Sequence, residues 1–438
     1  MKKSSLRRLA VTSVIAAAPT ATSAGTDLSK EHSFMHSIRK IAVVGAAVAA
    51  LVGIGMGGKA YADPYPALSA PPGLTTIEGV GSDTITPLFS GNEDGQTSGD
   101  IAQDYDATSP ANALYSWDAV NPSTGAVGDT ITTKASSSTD TTCSIARPDG
   151  SGAGITALEA NTTDGGDYCI DYARSSRAPA STDPNTIAFA ALMGDAITYA
   201  SPSGGDAVSG LTWEDLKDIY TCVDTNWDDF GGPNATIDPV LPQSGSGTRA
   251  TFLLGINGNT GTPVTPGSCV VNGSNSTGTI EENTGVTAPN EAAFSNAAAV
   301  FPYAISAYIA QNTTVIDGVG GHSTSIWAQG NLVLDSMTDD NNDLQAPISD
   351  PTTDPNINPN WPVELDRTIY AVVRNGGTES APAFPTSPSY DATALPAIFG
   401  PSGWICTSTA AQNDLASYGF YSLGSACGSL TDEFLTFG

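Results

Sequence analysis

Hydrophobic positions change their period from segment to segment, and the changes mark out alternating strands and helices. Residues 75–80 read as a strand running into a glycine loop, Gly79-Val80-Gly81-Ser82-Asp83-Thr84, after which Thr86-Pro87-Leu88-Phe89 opens a helix. A second helix is expected around Ile155-Thr156-Ala157-Leu158, behind Gly150-Ser151-Gly152-Ala153-Gly154. Thr212 stands as N-cap to Trp213-Glu214-Asp215-Leu216-Lys217-Asp218-Ile219-Tyr220, whose acids fill the first turn and whose Trp213, Leu216 and Tyr220 share a face. Residues 292–311, rich in Ala and aromatics, predict a helix meeting a strand or second helix at Pro302. Thr368-Ile369-Tyr370-Ala371-Val372-Val373 is a β run, and the Asp/Asn/Pro-rich stretch 338–360 reads as a long surface loop. The mixture is α/β, with no internal repeat.

The first 62 residues have a different character. Arg39-Lys40 precede an apolar run over residues 41–56, and Ala60-Tyr61-Ala62 supplies an A-x-A cleavage site before Asp63, the layout of a secretory signal. A weaker basic and apolar stretch lies upstream of Met35, so translation is expected to start at Met35. The apolar run is shorter than the ~20 residues a spanning helix needs, and no later segment is long and apolar enough to span. The expected product is an exported, extracytoplasmic chain without a membrane span.

Charge sharpens the picture. The sequence has 438 residues, 16 Lys+Arg against 45 Asp+Glu, and a net charge of −29. Eight bases but only Asp27 and Glu31 of the acids precede Asp63, leaving 8 bases against 43 acids. Such a chain does not bind nucleic acid electrostatically. Its remaining bases are Lys134, Arg147, Arg174, Arg177, Lys217, Arg249, Arg367 and Arg374. Six cysteines with no C-x-x-C argue for disulfides in an oxidising compartment rather than zinc. Fifteen pairings can be drawn. Short loop closure favours Cys143 with Cys169, Cys222 with Cys269 and Cys406 with Cys427, each contributing ~3 kcal/mol through loop entropy, with one free cysteine pair as the alternative.

Four loops join Gly or Arg to Ser or Thr ahead of a helix start: Gly81-Ser82-Asp83-Thr84, Arg147-Pro148-Asp149-Gly150-Ser151-Gly152, Asp171-Tyr172-Ala173-Arg174-Ser175-Ser176-Arg177-Ala178-Pro179, and Ser244-Gly245-Ser246-Gly247-Thr248-Arg249. Such loops suit anions. Glycine admits close backbone approach, free N–H groups at a helix start carry partial positive charge, hydroxyls donate to oxyanion oxygens, and arginine offers a bidentate fork. Any one loop alone is commonly a plain turn. Four of eight bases gathered in such loops is the stronger signal, set against the plain alternative of surface ion pairs with the many acids.

With these loops in order, the chain resembles the periplasmic-type phosphate-binding proteins of high-affinity ABC phosphate uptake, of the type II solute-binding family, and their exported relatives. Residues 79–84 are similar to the family's first ligand loop, Gly150-Ser151 to its serine loop, residues 171–179 to its D-F-x-x-S-D-x-P segment, and residues 244–249 to its G-S-G-T loop. Residues 211–220 with Asn226-Trp227-Asp228-Asp229 are similar to its L-x-D-I-Y…W-D-D stretch. The resemblance implies a two-lobed solute-binding protein, type II periplasmic-binding-protein-like, with two hinge crossovers: one lobe over 63–190 and 365–438, the other over 191–364. It implies a phosphate site at Ser82, Asp83, Thr84, Ser151, Arg174, Ser175, Ser176, Arg177, Ser246, Gly247, Thr248 and Arg249, with no cofactor or metal. An ABC permease would be the partner of a monomer.

Departures bear on the ligand. The family's arginine ahead of its Ser-Gly-Thr falls at Pro242, its nearby aspartate at Ser244, and Arg249 is placed to replace the lost charge. The aspartate that accepts a proton from phosphate falls at Ser176 or Arg177, with Asp83 as the candidate substitute; without one, sulfate or a phosphate ester competes with phosphate. Two other classes stand beside this reading. One is a secreted phosphoester or peptide hydrolase with a nucleophile among Ser244–Ser246, for which His322, the only histidine after residue 62, reads instead as a surface residue. The other is an extracellular interaction protein on the same fold. Asp339, Asn341 and Asp343 have Ca²⁺-loop spacing, but Leu344 stands where the turn glycine belongs, so a solvated loop is expected.

Overall fold

The computed structural model describes residues 76–431 apart from 91–99, 109, 135–142, 161, 165–166, 313–321 and 352–354. The expected signal and its start and cleavage sites lie outside the described residues.

A single ten-stranded sheet organises the chain. Its strands are β1 (Thr76–Gly81), β2 (Ala113–Ser116), β3 (Tyr172–Ser175), β4 (Ile187–Pro202), β5 (Asp238–Leu241), β6 (Val271–Asn272), β7 (Ala299–Ala304), β8 (Leu332–Leu334), β9 (Asp366–Arg374) and β10 (Tyr421–Ser422). The order is β6-β5-β7-β4-β9-β3-β1-β2, with β8 and β10 also on β4. β1 lies parallel to β2 and β3, whereas β9 runs antiparallel to both β3 and β4. The 16-residue β4 is buried throughout and carries the chain from the first set of strands into the central one; β9 brings it back. Near-continuous burial explains why residues 368–373 of β9 read as a β run without polar alternation. The largest core cluster runs across these segments, taking in Ile77, Leu192, Val240, Phe301, Ile369 and Phe399, and two smaller ones are more local. One cluster gathers Tyr199, Leu216, Tyr220, Trp227 and Phe252 from the central segment, and another Val80, Ile155, Ala173, Phe189 and Val372 from the first and last.

Up to Asn312 the described α-helices are, in chain order, α1 (Thr86–Ser90), α2 (Ile101–Ala107), α3 (Gly150–Glu159), α4 (Trp213–Tyr220) and α5 (Gly247–Gly255), with α6 (Ala288–Phe294) and α7 (Ile305–Asn312) after them; α1, α3 and α5 start at the site. α4 closes the capping box its sequence announces: Thr212 Oγ1 accepts from Asp215 N at 3.1 Å and Asp215 Oδ2 from Thr212 N at 2.9 Å. Pro302, expected at a junction between two elements, is instead inside one. It sits within β7 opposite Tyr199, and the pairing with β5 reaches only to Val300, so its missing N–H is tolerated. The stretch expected as a plain loop also contains strand pairings, of 337–338 with 344–345 and of 348–349 with 356–357.

Three disulfides join Cys143–Cys169, Cys222–Cys269 and Cys406–Cys427, and no cysteine is free among the described residues.

Candidate functional site

Four loops and one strand end meet at one place. β1 ends at Gly81, whose φ of 119° turns the chain so that Ser82 comes next and a 3₁₀ turn, Asp83–Ile85, leads into α1. Gly150, at φ 88°, starts α3 with Ser151 in its first turn. Ser176 comes directly after β3, and Ser246 caps α5 by accepting from Arg249 N at 3.0 Å. The approach is tight: a Cβ on Gly247 would fall 2.2 Å from Ser176 Oγ and 2.4 Å from Ser151 Oγ, so only glycine lets α5 reach the other loops.

The hydroxyls form one linked, buried set. Ser82 Oγ donates to Ser176 Oγ at 2.9 Å, Thr84 Oγ1 to the same atom at 3.3 Å, and Ser151 Oγ lies 3.3 Å from it. Thr84 Oγ1 is also 3.3 Å from Thr248 Oγ1. Segments far apart in sequence thus bring five donors to one point, with all five side chains at most 2% exposed.

Arg367, at the start of β9, supplies the cation. Its Nη1 donates to Thr248 Oγ1 at 3.0 Å and to Ser176 O at 3.2 Å, and its Nη2 to Thr84 Oγ1 at 3.5 Å. Asp195 on β4 holds it through Nε at 2.8 Å and Nη2 at 2.6 Å. Opposite stands Glu282. Its carboxylate accepts from Thr248 N at 3.0 Å, from Thr84 Oγ1 at 3.2 Å and from Ser246 Oγ. Asn283 Nδ2 completes the ring, donating to Thr84 Oγ1 at 3.0 Å. An acid held by a helix-start N–H and two hydroxyls uses the donors an oxyanion uses.

The arginines singled out in the sequence lie elsewhere. Arg174 is fully buried behind the first loop, donating to Ser116 Oγ, Gly81 O, Thr86 Oγ1 and Trp117 O at 2.6–3.3 Å; it braces the loop's carbonyls. Arg177 is bidentate to Asp183 at 2.7 and 2.8 Å, and Ser175 Oγ donates to Arg177 O. Arg249 turns back to Pro242 O at 2.9 Å, and Arg147 to Asp118 O and Asp129. All four thus do what local ion pairs and backbone braces do. Asp83 faces away from the hydroxyls toward Gln243 Nε2, at 3.4 Å, and burial, with Asp149, Glu282 and Glu281 nearby, raises its carboxyl well above the ordinary range. Arg367, Glu282 and Asn283 were missed. Arg367 is set in the cluster only by the pairing of β9 with β3 and β4, and Glu281-Glu282 reads in sequence as a solvated acidic pair.

A hydrolytic pairing has no support. Ser246 donates to Glu282, while His322 is buried and stacked on Tyr418 with ring centroids 4.0 Å apart, contrary to the expected surface position. Asp339 Oδ1 accepts from Asn341 N and Asp343 N, an Asx-type turn rather than a cation loop.

Comparison with known proteins agrees with this frame. The model of the PBP superfamily domain matches residues 118–355, more than half of the chain. The chain belongs to the PBP superfamily. The superfamily's mixed α/β architecture around a large sheet is the one described above. Among solved structures, an ABC-type phosphate transport receptor from Vibrio cholerae is similar at 16% identity and TM-score 0.43, over 79% of this chain and 99% of that one. PstS from Borrelia burgdorferi is similar at 14% and 0.37, over 80% and 98%, and a phosphate-binding protein from Stenotrophomonas maltophilia at 14% and 0.38, over 68% and 79%. No curated protein matches.

Proposed function

We propose that the protein is an extracytoplasmic solute-binding protein for an inorganic oxyanion, phosphate before sulfate, which it delivers to an ABC permease without chemistry of its own. The observation that carries this is the linked set of five buried hydroxyls with the Thr248 N–H and the Arg367 guanidinium at one point. Donors of this kind, water-excluded and fixed by glycine-shaped loops, match the oxygens of a tetrahedral anion. Ser82, Thr84, Ser151, Ser176, Gly247 and Thr248 contact the ligand in this reading, Arg367 takes the role first expected of Arg174, Arg177 and Arg249, and Arg174 positions the first loop. The lobes are residues 63–190 with 365–438, and 191–364; β4 and β9 are the crossovers about which a monomer closes.

Titration calorimetry of the purified protein with phosphate and with sulfate tests this. One phosphate per chain is expected, with sulfate weaker. Loss of a charged donor predicts that Arg367→Ala weakens phosphate by about 100-fold, while Arg177→Ala stays within about threefold of the parent. Parental phosphate affinity in a folded Arg367→Ala protein would sink the proposal.

A further inference from the structure

Beside the hydroxyl set, and not used by it, three carboxylates crowd together. Oxygens of Asp83, Asp149 and Glu281 all lie within 4.8 Å of one another. Asp83 comes from the turn after β1, Asp149 from the cap of α3, and Glu281 from the central segment that carries Glu282. Among the described residues no basic side chain pairs with any of the three.

Two buried oxygens at the cluster lack a hydrogen-bond partner. Gln243 is 6% exposed, and its amide contacts Asp149 Oδ1 at 3.0 Å and Asp83 Oδ2 at 3.4 Å through Nε2, while its Oε1 has no hydrogen-bond partner. Glu281 is 5% exposed, and its Oε2 has none either. A half-turn of the Gln243 amide would present Oε1 to the carboxylates. That orientation is repulsive with nothing between them and becomes coordination when a hard cation is. A cavity of about 30 Å³, lined by Asp83, Glu281, Glu282, Asp118 and Trp327 among others, adjoins the cluster and has room for a water or an ion.

We propose that Asp83, Asp149, Glu281 and the Gln243 amide oxygen form a binding site for one hard divalent cation of the size of Ca²⁺. Ca²⁺ takes oxygen ligands at about 2.3–2.6 Å, so opposite ligands stand about 4.6–5.2 Å apart, a span that contains the spread of these carboxylates. Water from the cavity completes the six to eight ligands such an ion takes. Asp83 and Asp149 belong to the first segment, Gln243 and Glu281 to the central one, so the ion ties together the two segments that also frame the hydroxyl set. This goes beyond the oxyanion reading and stands without it.

The test is calorimetric titration of EDTA-treated, dialysed protein with CaCl₂ in 150 mM NaCl, which suppresses diffuse binding to the acidic surface. One Ca²⁺ per chain is expected, weakened at least 30-fold in both Asp149→Asn and Glu281→Gln. Circular dichroism establishes that the variants fold. A second measurement leaves the cluster intact: Tb³⁺ bound there is excited by energy transfer from Trp327, so Ca²⁺-displaceable Tb³⁺ emission is expected in the parent and is reduced at least threefold in Trp327→Phe. No Ca²⁺ binding at 5 mM, the same affinity in both folded variants as in the parent, or Tb³⁺ emission untouched by Trp327→Phe would each overturn the site. Failure of phosphate binding in the same preparation would count against the oxyanion reading alone.

Discussion

In the proposed oxyanion reading, selectivity turns on Glu282. The hydroxyls, the Thr248 N–H and Arg367 are all donors and would serve phosphate and sulfate alike. Only an acceptor in the same place separates an anion that carries a proton from one that does not. The position where the resembling family keeps that acceptor is Ser176 or Arg177 here, and Asp83 faces the other way, toward Gln243. Glu282, held by Ser246, Thr248 N and Thr84, is the one carboxylate inside the hydroxyl set among the described residues. Its negative charge opposes a fully ionised anion and accepts from a protonated one. Glu282→Gln is therefore expected to strengthen sulfate by about tenfold or more and to shrink the phosphate-to-sulfate ratio correspondingly, read by competitive titration of the two anions. An unchanged ratio would remove Glu282 from the site.

Among the elements, α4 joins sequence to packing most directly. Its capping box satisfies two N-terminal backbone groups, and the face it orients buries Leu216, Ile219 and Tyr220, with Tyr220 Oη donating to Val240 O at 3.1 Å and Val300 O at 3.0 Å. Thr212→Ala should lower unfolding free energy by about 1 kcal/mol, measured by urea denaturation, with phosphate affinity unchanged because the helix lies away from the hydroxyl set. Local signals of this kind were legible: the cap at Thr212, the glycine turns before α3 and α5, the β run of β9, and the hydroxyls placed just after those turns. What was not legible depends on partners distant in sequence. Arg174 and Arg177 sit among serines, so proximity marked them as ligands. Yet burial of the first turns one onto Gly81 O and Trp117 O, and Asp183 captures the other. Arg367 reaches the site because β9 lies between β3 and β4, a register no short window contains. Pro302 reads as a break, and it is acceptable inside a strand because the pairing of β7 with β5 stops at Val300.

At the scale of the whole molecule the excess of acid governs how stability changes with pH. Several carboxylates outside the site are buried or half-buried without a compensating base. Burial, with Asp195 and Glu364 nearby, raises Asp366 to about 8; burial, with Asp104 nearby, raises Asp414 to about 7; burial alone raises Asp106 to about 7 and, against a hydrogen bond from Ser201, Asp335 to about 6. In the unfolded chain these groups titrate near 3.9. Each folded value lies above the unfolded one, so between about pH 4 and pH 8 the native state holds more protons than the unfolded state, and stability falls as pH rises through that window. Self-repulsion of a chain with 45 acids and 16 bases acts in the same direction. Asp129, lowered by its hydrogen bond with Arg147, works the other way, but its contribution disappears only as pH falls through its own depressed value, below this window. Calorimetric melting should therefore give a midpoint that climbs by several degrees as pH is lowered from 8 to 5. Asp414 isolates the cause, because its Oδ2 is buried without a hydrogen-bond partner. Asp414→Asn removes the ionisable group while keeping its shape, so it should raise the midpoint by about 1–3 °C at pH 8 and leave it nearly unchanged at pH 5, where the parent carboxyl is already protonated. A midpoint that is flat or falls between pH 8 and pH 5 would mean that these acids remain ionised in the fold, with surface repulsion too weak to register.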